Sequence, residues 1–216
     1  HSFPTRRSSD LDVFEELKKD LKEKKDNFGP ALPEIQKQVK NVEIEFTQFV
    51  TLNTSGDPIE AREVLDDAEK HTYEVQATMQ KVPTIYEDLE KTFPSQIDEL
   101  EKTYKKMMTD HFVLPEDDFE ERLEKVKKHV ERSLEDLEKI ELSTVETANK
   151  ETAELIDDLY AVLEKEFEAK KYVLTNRKTI GEYISHASRN NHQLMVELDH
   201  TSQSYALNNN ELGRAR

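Results

Sequence analysis

The chain has 216 residues, 47 acidic and 31 basic, for a formal charge of −16, and it is 36% charged against 35% hydrophobic, with no cysteine and no tryptophan. The missing cysteine excludes a disulfide framework and every thiolate metal site. The negative balance argues against a nucleic acid partner, because phosphate contacts need a basic face, and no apolar run reaches the roughly 18 residues that a membrane span requires. What remains is either a disordered chain or long helices that bury narrow stripes. The polar residues are mostly Glu, Lys and Asp interleaved with regularly spaced Leu, Ile, Val and Phe, which favours helices.

Residues 1–11, HSFPTRRSSDL, have no acidic residue before Asp10 and no helical period. They resemble the translation of a sequencing adapter, so they are expected to be foreign to the protein and are set aside from the fold, as a tag is. The native N-terminus would then be missing.

From Leu11 the spacing turns helical: Leu11, Phe14, Leu17, Leu21, Phe28. Gly29, Pro30 and Pro33 interrupt it, since proline lacks an amide donor and clashes with the preceding turn. The stripe Ile35, Val39, Val42, Phe46, Phe49 follows in steps of 4, 3, 4 and 3. Ser55-Gly56-Asp57-Pro58 ends one helix and starts the next. Asp57 suits the cap, Pro58 the first helical position, and Glu60 the third position after the cap. A third stripe reads Val64, Ala68, His71, Val75, Met79, Val82. After Pro83, Thr84 to Glu87 reads as a capping box. The stripe Ile85, Leu89, Phe93, Ile97, Leu100, Tyr104, Met107 contains Pro94, which predicts a kink or break. Leu114-Pro115-Glu116-Asp117 reads as a turn before Phe119, Leu123, Val126, Val130, Leu134, Leu137 and Ile140. Ser143 and Glu146 form another capping box.

The last stripe, Val145, Ala148, Thr152, Leu155, Leu159, Val162, is widened by Ile156, Leu163 and Phe167 and runs on less cleanly to Tyr205. A helix of about 60 residues would span about 90 Å. Asn208-Asn209-Asn210 ends it. No segment alternates with period two, so no strand is expected. Stripes that cover three positions in seven suit antiparallel three-helix bundles better than a two-stranded coil. The expected class is therefore all-α, with tandem spectrin-like bundles joined by long shared helices. The expected division is a first, incomplete repeat over 12–93, a second over 94–206 with the long final helix, and a turn with the start of another helix over 207–216. The lack of tryptophan argues against spectrin itself.

Chemistry is scarce. Only Glu197 and His200 show the Glu-x-x-His spacing of bundle metal sites, and only once. His71 lies on an apolar stripe and reads as a half-buried core histidine, while His186 and His192 are six apart and share no helical face. The four glycines are isolated, so no phosphate loop exists, and no G-x-S-x-G elbow occurs. No catalytic, cofactor or metal residue is assigned. One local charge reversal stands out. Lys170, Lys171, Arg177, Lys178 and Arg189 face a single acidic residue, Glu182, between Ala169 and His192, a local balance of +4. It reads either as a solvated helix face or as a docking patch for an acidic peptide or anionic lipid.

Four stretches, FGPALPEIQKQVKNVEIEFTQF at 28–49, SGDPIEAREVL at 55–65, EFEAKKYV at 166–173 and SQSYALNNNELGRAR at 202–216, resemble the EzrA family of septation-ring regulators of low-GC Gram-positive bacteria. They occur in family order and spacing over essentially all of 12–216. The resemblance implies a protein with one N-terminal transmembrane helix and a cytoplasmic string of spectrin-like three-helix repeats at the division septum. It also implies a non-enzymatic partner of FtsZ and other division proteins that restrains ring assembly. This chain would be an internal piece of about two repeats, lacking the anchor and the family's C-terminal targeting region. The alternative is a generic coiled-coil or spectrin-type spacer, which predicts strict two-in-seven stripes and a parallel dimer. A di-iron bundle enzyme is a third reading, which metal analysis would decide.

Overall fold

The computed structural model describes residues 3–114 and 118–170, with side chains from residue 9 onward, and every regular element among them is helical. Six α-helices follow in order: α1 Phe3–Glu23, α2 Leu32–Ser55, α3 Pro58–Glu87, α4 Phe93–Thr109, α5 Phe119–Glu138 and α6 Leu142–Ala169. A 3-10 segment, Lys25–Ala31, joins α1 to α2, and a π-turn, Asp88–Thr92, joins α3 to α4. The α1 backbone is helical from Phe3, ahead of the apolar period that opens at Leu11. Residues 115–117 of the expected turn, and everything beyond Lys170 in the expected long final helix, lie outside the described residues.

The chain forms two compact units. The first holds the residues up to Thr92 together with His129–Asn149; the second holds Phe93–Lys128 and the chain from Lys150. Helices α5 and α6 therefore each contribute to both.

In the first unit α1, α2 and α3 form an antiparallel bundle. The stripe Ile35, Val39, Val42, Phe46, Phe49 is buried along all of α2, as its spacing predicts. Phe14 meets Phe46 with ring centroids 5.3 Å apart, and Lys18 reaches Glu43 at 3.3 Å, which sets the antiparallel register of α1 on α2. Each such aromatic or aliphatic side chain, once buried, stabilises the fold by roughly 1.5–3 kcal/mol. The α2–α3 hairpin is the turn that local chemistry predicts. Gly56 sits at φ +86°, Asp57 Oδ1 accepts from the Glu60 amide at 3.2 Å, and Pro58 opens α3. Nothing would crowd a Cβ at Gly56, so only its positive φ calls for glycine. Gly29 differs: it has φ +51° and ψ −131°, and a Cβ there would overlap the Tyr86 ring. The α5–α6 return packs on this unit, with Lys81 4.0 Å from Glu146.

The second unit combines α4 with the first half of α5 and the second half of α6. Tyr104 stacks on Phe119 at 4.6 Å, Phe112 on Phe167 at 5.4 Å, and Lys127 reaches Glu101 at 3.7 Å. Leu100, Met107, Leu123, Ile156, Leu159 and Leu163 fill the centre. Tyr160 is buried here. Burial first, then the Glu99 and Asp157 carboxylates, hold its hydroxyl well above the usual tyrosine range.

Several local expectations give way to packing. Pro83 does not end a helix, and Thr84 to Glu87 lie inside α3. An internal proline costs about 3 kcal/mol, yet Met79, Val82 and Ile85 are buried around it and together offset that cost. At Pro94 the helix does not break, and the residues from Pro58 to Thr109 are helical throughout. The preceding turn widens to π over Asp88–Thr92, which relieves the clash of the proline ring with the carbonyl four residues back. The third stripe is buried as expected at Ala68, Val75, Met79 and Val82 and differs at two positions. Ala61, Leu65, Ala68 and Thr72 face the core, while Val64 and His71 flank it. On α6, Ile156, Leu163 and Phe167 are central and Leu155 and Val162 lie at the margin. The box at Ser143 and Glu146 also falls inside a helix, since α6 begins at Leu142 and the Val145 amide already bonds to the Glu141 carbonyl.

Helix α5 ends with Ile140 at φ +57° and a bond from the Glu141 amide to the Asp136 carbonyl. Helix α4 ends the same way, with His111 at φ +63° and the Phe112 amide on the Met107 carbonyl. Both are Schellman-type ends without glycine, the usual marker of this motif in a sequence.

Candidate interaction surface

Of the five basic residues of the charge reversal, only Lys170 lies among the described residues; Lys171, Arg177, Lys178 and Arg189 do not. Lys170 follows α6 directly. Its Nζ donates to the carbonyls of His111 at 2.8 Å and Asp110 at 3.4 Å and sits 4.3 Å from the Phe112 ring centroid. A cation at the C-terminal carbonyls of α4 is favoured by the helix dipole and by the aromatic face. Lys170 thus binds the end of α4 within its own unit.

His71 lies at the rim of the first bundle, its side chain 42% exposed, with Nδ1 2.7 Å and 2.9 Å from the two carboxylate oxygens of Glu45. It links α3 to α2. Among the described residues no three His, Asp or Glu side chains gather where a metal ion would fit. Glu197, His200, His186 and His192 lie outside the described residues.

The most unusual surface is the outer face of α2. Opposite its buried stripe runs a second one, Lys37, Lys40, Ile44, Thr47, Thr51, Thr54, in steps of 3, 4, 3, 4 and 3, every member exposed. Ile44 is 48% exposed and Val50, beside the stripe, 44%. The three threonines do not present free hydroxyls. Thr47, Thr51 and Thr54 donate to the carbonyls of Glu43, Thr47 and Val50 at 3.0, 3.1 and 2.8 Å. Their methyl groups therefore add to an apolar ridge. The ridge stands between two shallow grooves. One, between α2 and α3, is lined by Ile44, Leu52 and Val64; the other, between α1 and α2, by Leu11, Phe46 and Val50. Lys40, Glu43 and Glu60 also line the α2–α3 groove, so the surface is an apolar ridge with charged margins. It is suited to receiving another helix along its length.

Periodicity of the buried stripes and the search for charge clusters both pass over this face. The signal that marks it is an absence of charge: residues 46–56 carry none, in a chain that is 36% charged. A solvated helix face in such a chain would ordinarily carry Glu or Lys at several of these positions.

Comparison with protein families matches residues 7–216 to the family described as "Septation ring formation regulator, EzrA". A curated protein of Enterococcus faecalis, the septation ring formation regulator EzrA, is 62% identical over 206 residues, covering 95% of this chain and 36% of that protein. The chain thus spans about a third of the length of the curated relative it matches. No solved structure matches.

Proposed function

This chain belongs to the EzrA family of septation ring formation regulators, and from that premise we propose that it acts without catalysis, as part of a scaffold that binds FtsZ at the division septum and restrains assembly of the septation ring. In this reading the longer protein is held at the cytoplasmic face of the membrane by an N-terminal anchor; among the described residues no helix is long and apolar enough to cross a membrane. Helical bundles offer the partner a fixed surface, and a protein that binds one assembly state of a polymer better than another shifts the equilibrium by mass action.

The observation that supports this reading best is the identity of 62% carried through 206 residues, across both bundles, to a protein that carries the regulator's name. The test is sedimentation of FtsZ polymers with increasing amounts of the complete cytoplasmic region and, separately, of this chain. The expected result is a lower polymer yield or less bundling with the complete region. Unchanged yield and bundling at molar excess would refute the proposal.

A further inference from the structure

We propose that the α5–α6 return, residues 129–149, is a strap that opens from the α1–α3 bundle as one piece, and that a buried polar layer of Ser133 and Asn149 is what leaves it weakly held.

The return buries five side chains: Val130, Ser133 and Leu137 on α5, Val145 and Asn149 on α6. Two of the five are polar. Ser133 is 1% exposed and Asn149 8%, and neither Ser133 Oγ nor Asn149 Oδ1 has a hydrogen-bond partner. They stand equally far from Glu141 in the turn, so the antiparallel return sets both at one level. A buried polar atom without a partner forfeits its bonds to water and recovers them when the element opens. The layer therefore works against closure in the middle of the strap. The ion pair at its edge offsets this only weakly. Lys81 and Glu146 stand 4.0 Å apart with side chains 60% and 44% exposed, where solvent screens the attraction.

The same two helices are held differently in the second unit. There α5 buries Phe119, Leu123 and Val126, and α6 buries Ile156, Leu163 and Phe167. The buried Tyr160 hydroxyl lies beside the Glu99 carboxylate, which accepts from it. Elements with little apolar burial open locally at a lower free energy than the fold as a whole. Each arm of the return is shorter than the roughly 12 residues that an isolated helix needs in water, so an opened strap loses its helical hydrogen bonds. Opening uncovers the part of α3 around Lys81 without unfolding the bundle.

Native-state hydrogen exchange of the 216-residue chain tests this. Amides of 130–137 and 145–149 should exchange with one common opening constant, at least tenfold larger than that of 120–127 and 156–163. Ser133→Ala combined with Asn149→Leu removes the unpartnered atoms at nearly constant shape. It should slow exchange in the return at least tenfold and leave the other segments unchanged. The chain has no cysteine, so Lys81→Cys and Glu146→Cys can be bridged by a flexible bis-maleimide, and the bridge should abolish the fast exchange. Four results would each overturn the proposal. The return is as protected as 156–163, or its protection falls gradually toward Ile140, which is fraying of a helix end. The fast exchange survives the bridge. In the fourth, the apolar pair speeds exchange in the return, which would mean that Ser133 and Asn149 hold it closed through water.

Discussion

Replacing Gly29 by alanine separates a conformational cost from a packing cost. Gly29 lies in the connection between α1 and α2 at φ +51° and ψ −131°, a region essentially reserved for glycine. Holding alanine there costs roughly 1–3 kcal/mol. Its methyl would also overlap the Tyr86 ring, and displacing that ring costs about 1–2 kcal/mol, in the range of ordinary overpacking. The ring is half-buried, so moving it aside exposes part of its apolar face. The sum is about 3 kcal/mol. Gly56→Ala is the control. Its φ of +86° gives the strain of a left-handed residue, about 1 kcal/mol, with nothing near the new methyl. Urea denaturation followed by circular dichroism gives the values, and a double-mutant cycle with Tyr86→Ala isolates the overlap. In the Tyr86→Ala background Gly29→Ala should recover about 1–2 kcal/mol of its cost. If Gly29→Ala costs the same with and without the ring, or no more than Gly56→Ala, the close packing of the α1–α2 connection against α3 is not what demands glycine.

Asp88, in the π-turn, has its carboxyl raised to about 6 from 3.8, by burial first and by Glu87 second, against a lowering hydrogen bond from Thr92. A raised carboxyl stabilises the fold fully below the unfolded value and loses that contribution as pH climbs from about 4 to 6. Asp88→Asn should therefore flatten stability across that window and, allowing for screening by solvent, add roughly 1–2 kcal/mol at pH 7. An unchanged slope in a pH series of urea midpoints would refute this. The burial of Leu65 in place of Val64 on α3 predicts that Leu65→Ala, at a site 1% exposed, costs about 2–5 kcal/mol and Val64→Ala under about 1. Thermal melts would reverse this order if Val64 were the core residue. Lys170→Met should destabilise the second bundle by about 1 kcal/mol through loss of its carbonyl bonds and its seat over Phe112, and Lys170→Arg should retain most of it. Hydrogen exchange at the end of α4 reads this out, and equal protection in Lys170→Met would disprove the capping role.

Features set by neighbours in the chain were legible in the sequence. The α2 stripe came out residue for residue, because large apolar side chains at steps of 4 and 3 have only one face to share. The Gly56-Asp57-Pro58 hairpin was readable because cap, turn and first helical residue are each chosen by local geometry. On α3 the stripe held at Ala68, Val75, Met79 and Val82, but Val64 and His71 look like core and gave way to their neighbours Leu65 and Thr72; the gap that a neighbouring helix leaves decides which side chain fits. The turn at Leu114 and the restart at Ser143 marked roughly where α4 and α5 stop, but not the form of their ends, because His111 and Ile140 take the positive φ that glycine usually announces. The α2 ridge escaped a search for clustered charge because its signal is the lack of it.

Sequence by itself therefore determined that this chain is helical, where its cheapest turns fall, and which large side chains turn inward along α2. Tertiary structure alone decided that Pro83 and Pro94 stay within one helical path, and that α5 and α6 are divided between two cores at Lys128 and Asn149. The reason is one of magnitude. A proline's local penalty of about 3 kcal/mol is visible from a few residues, but the burial that outweighs it comes from helices far along the chain, and it exists only once they are packed together.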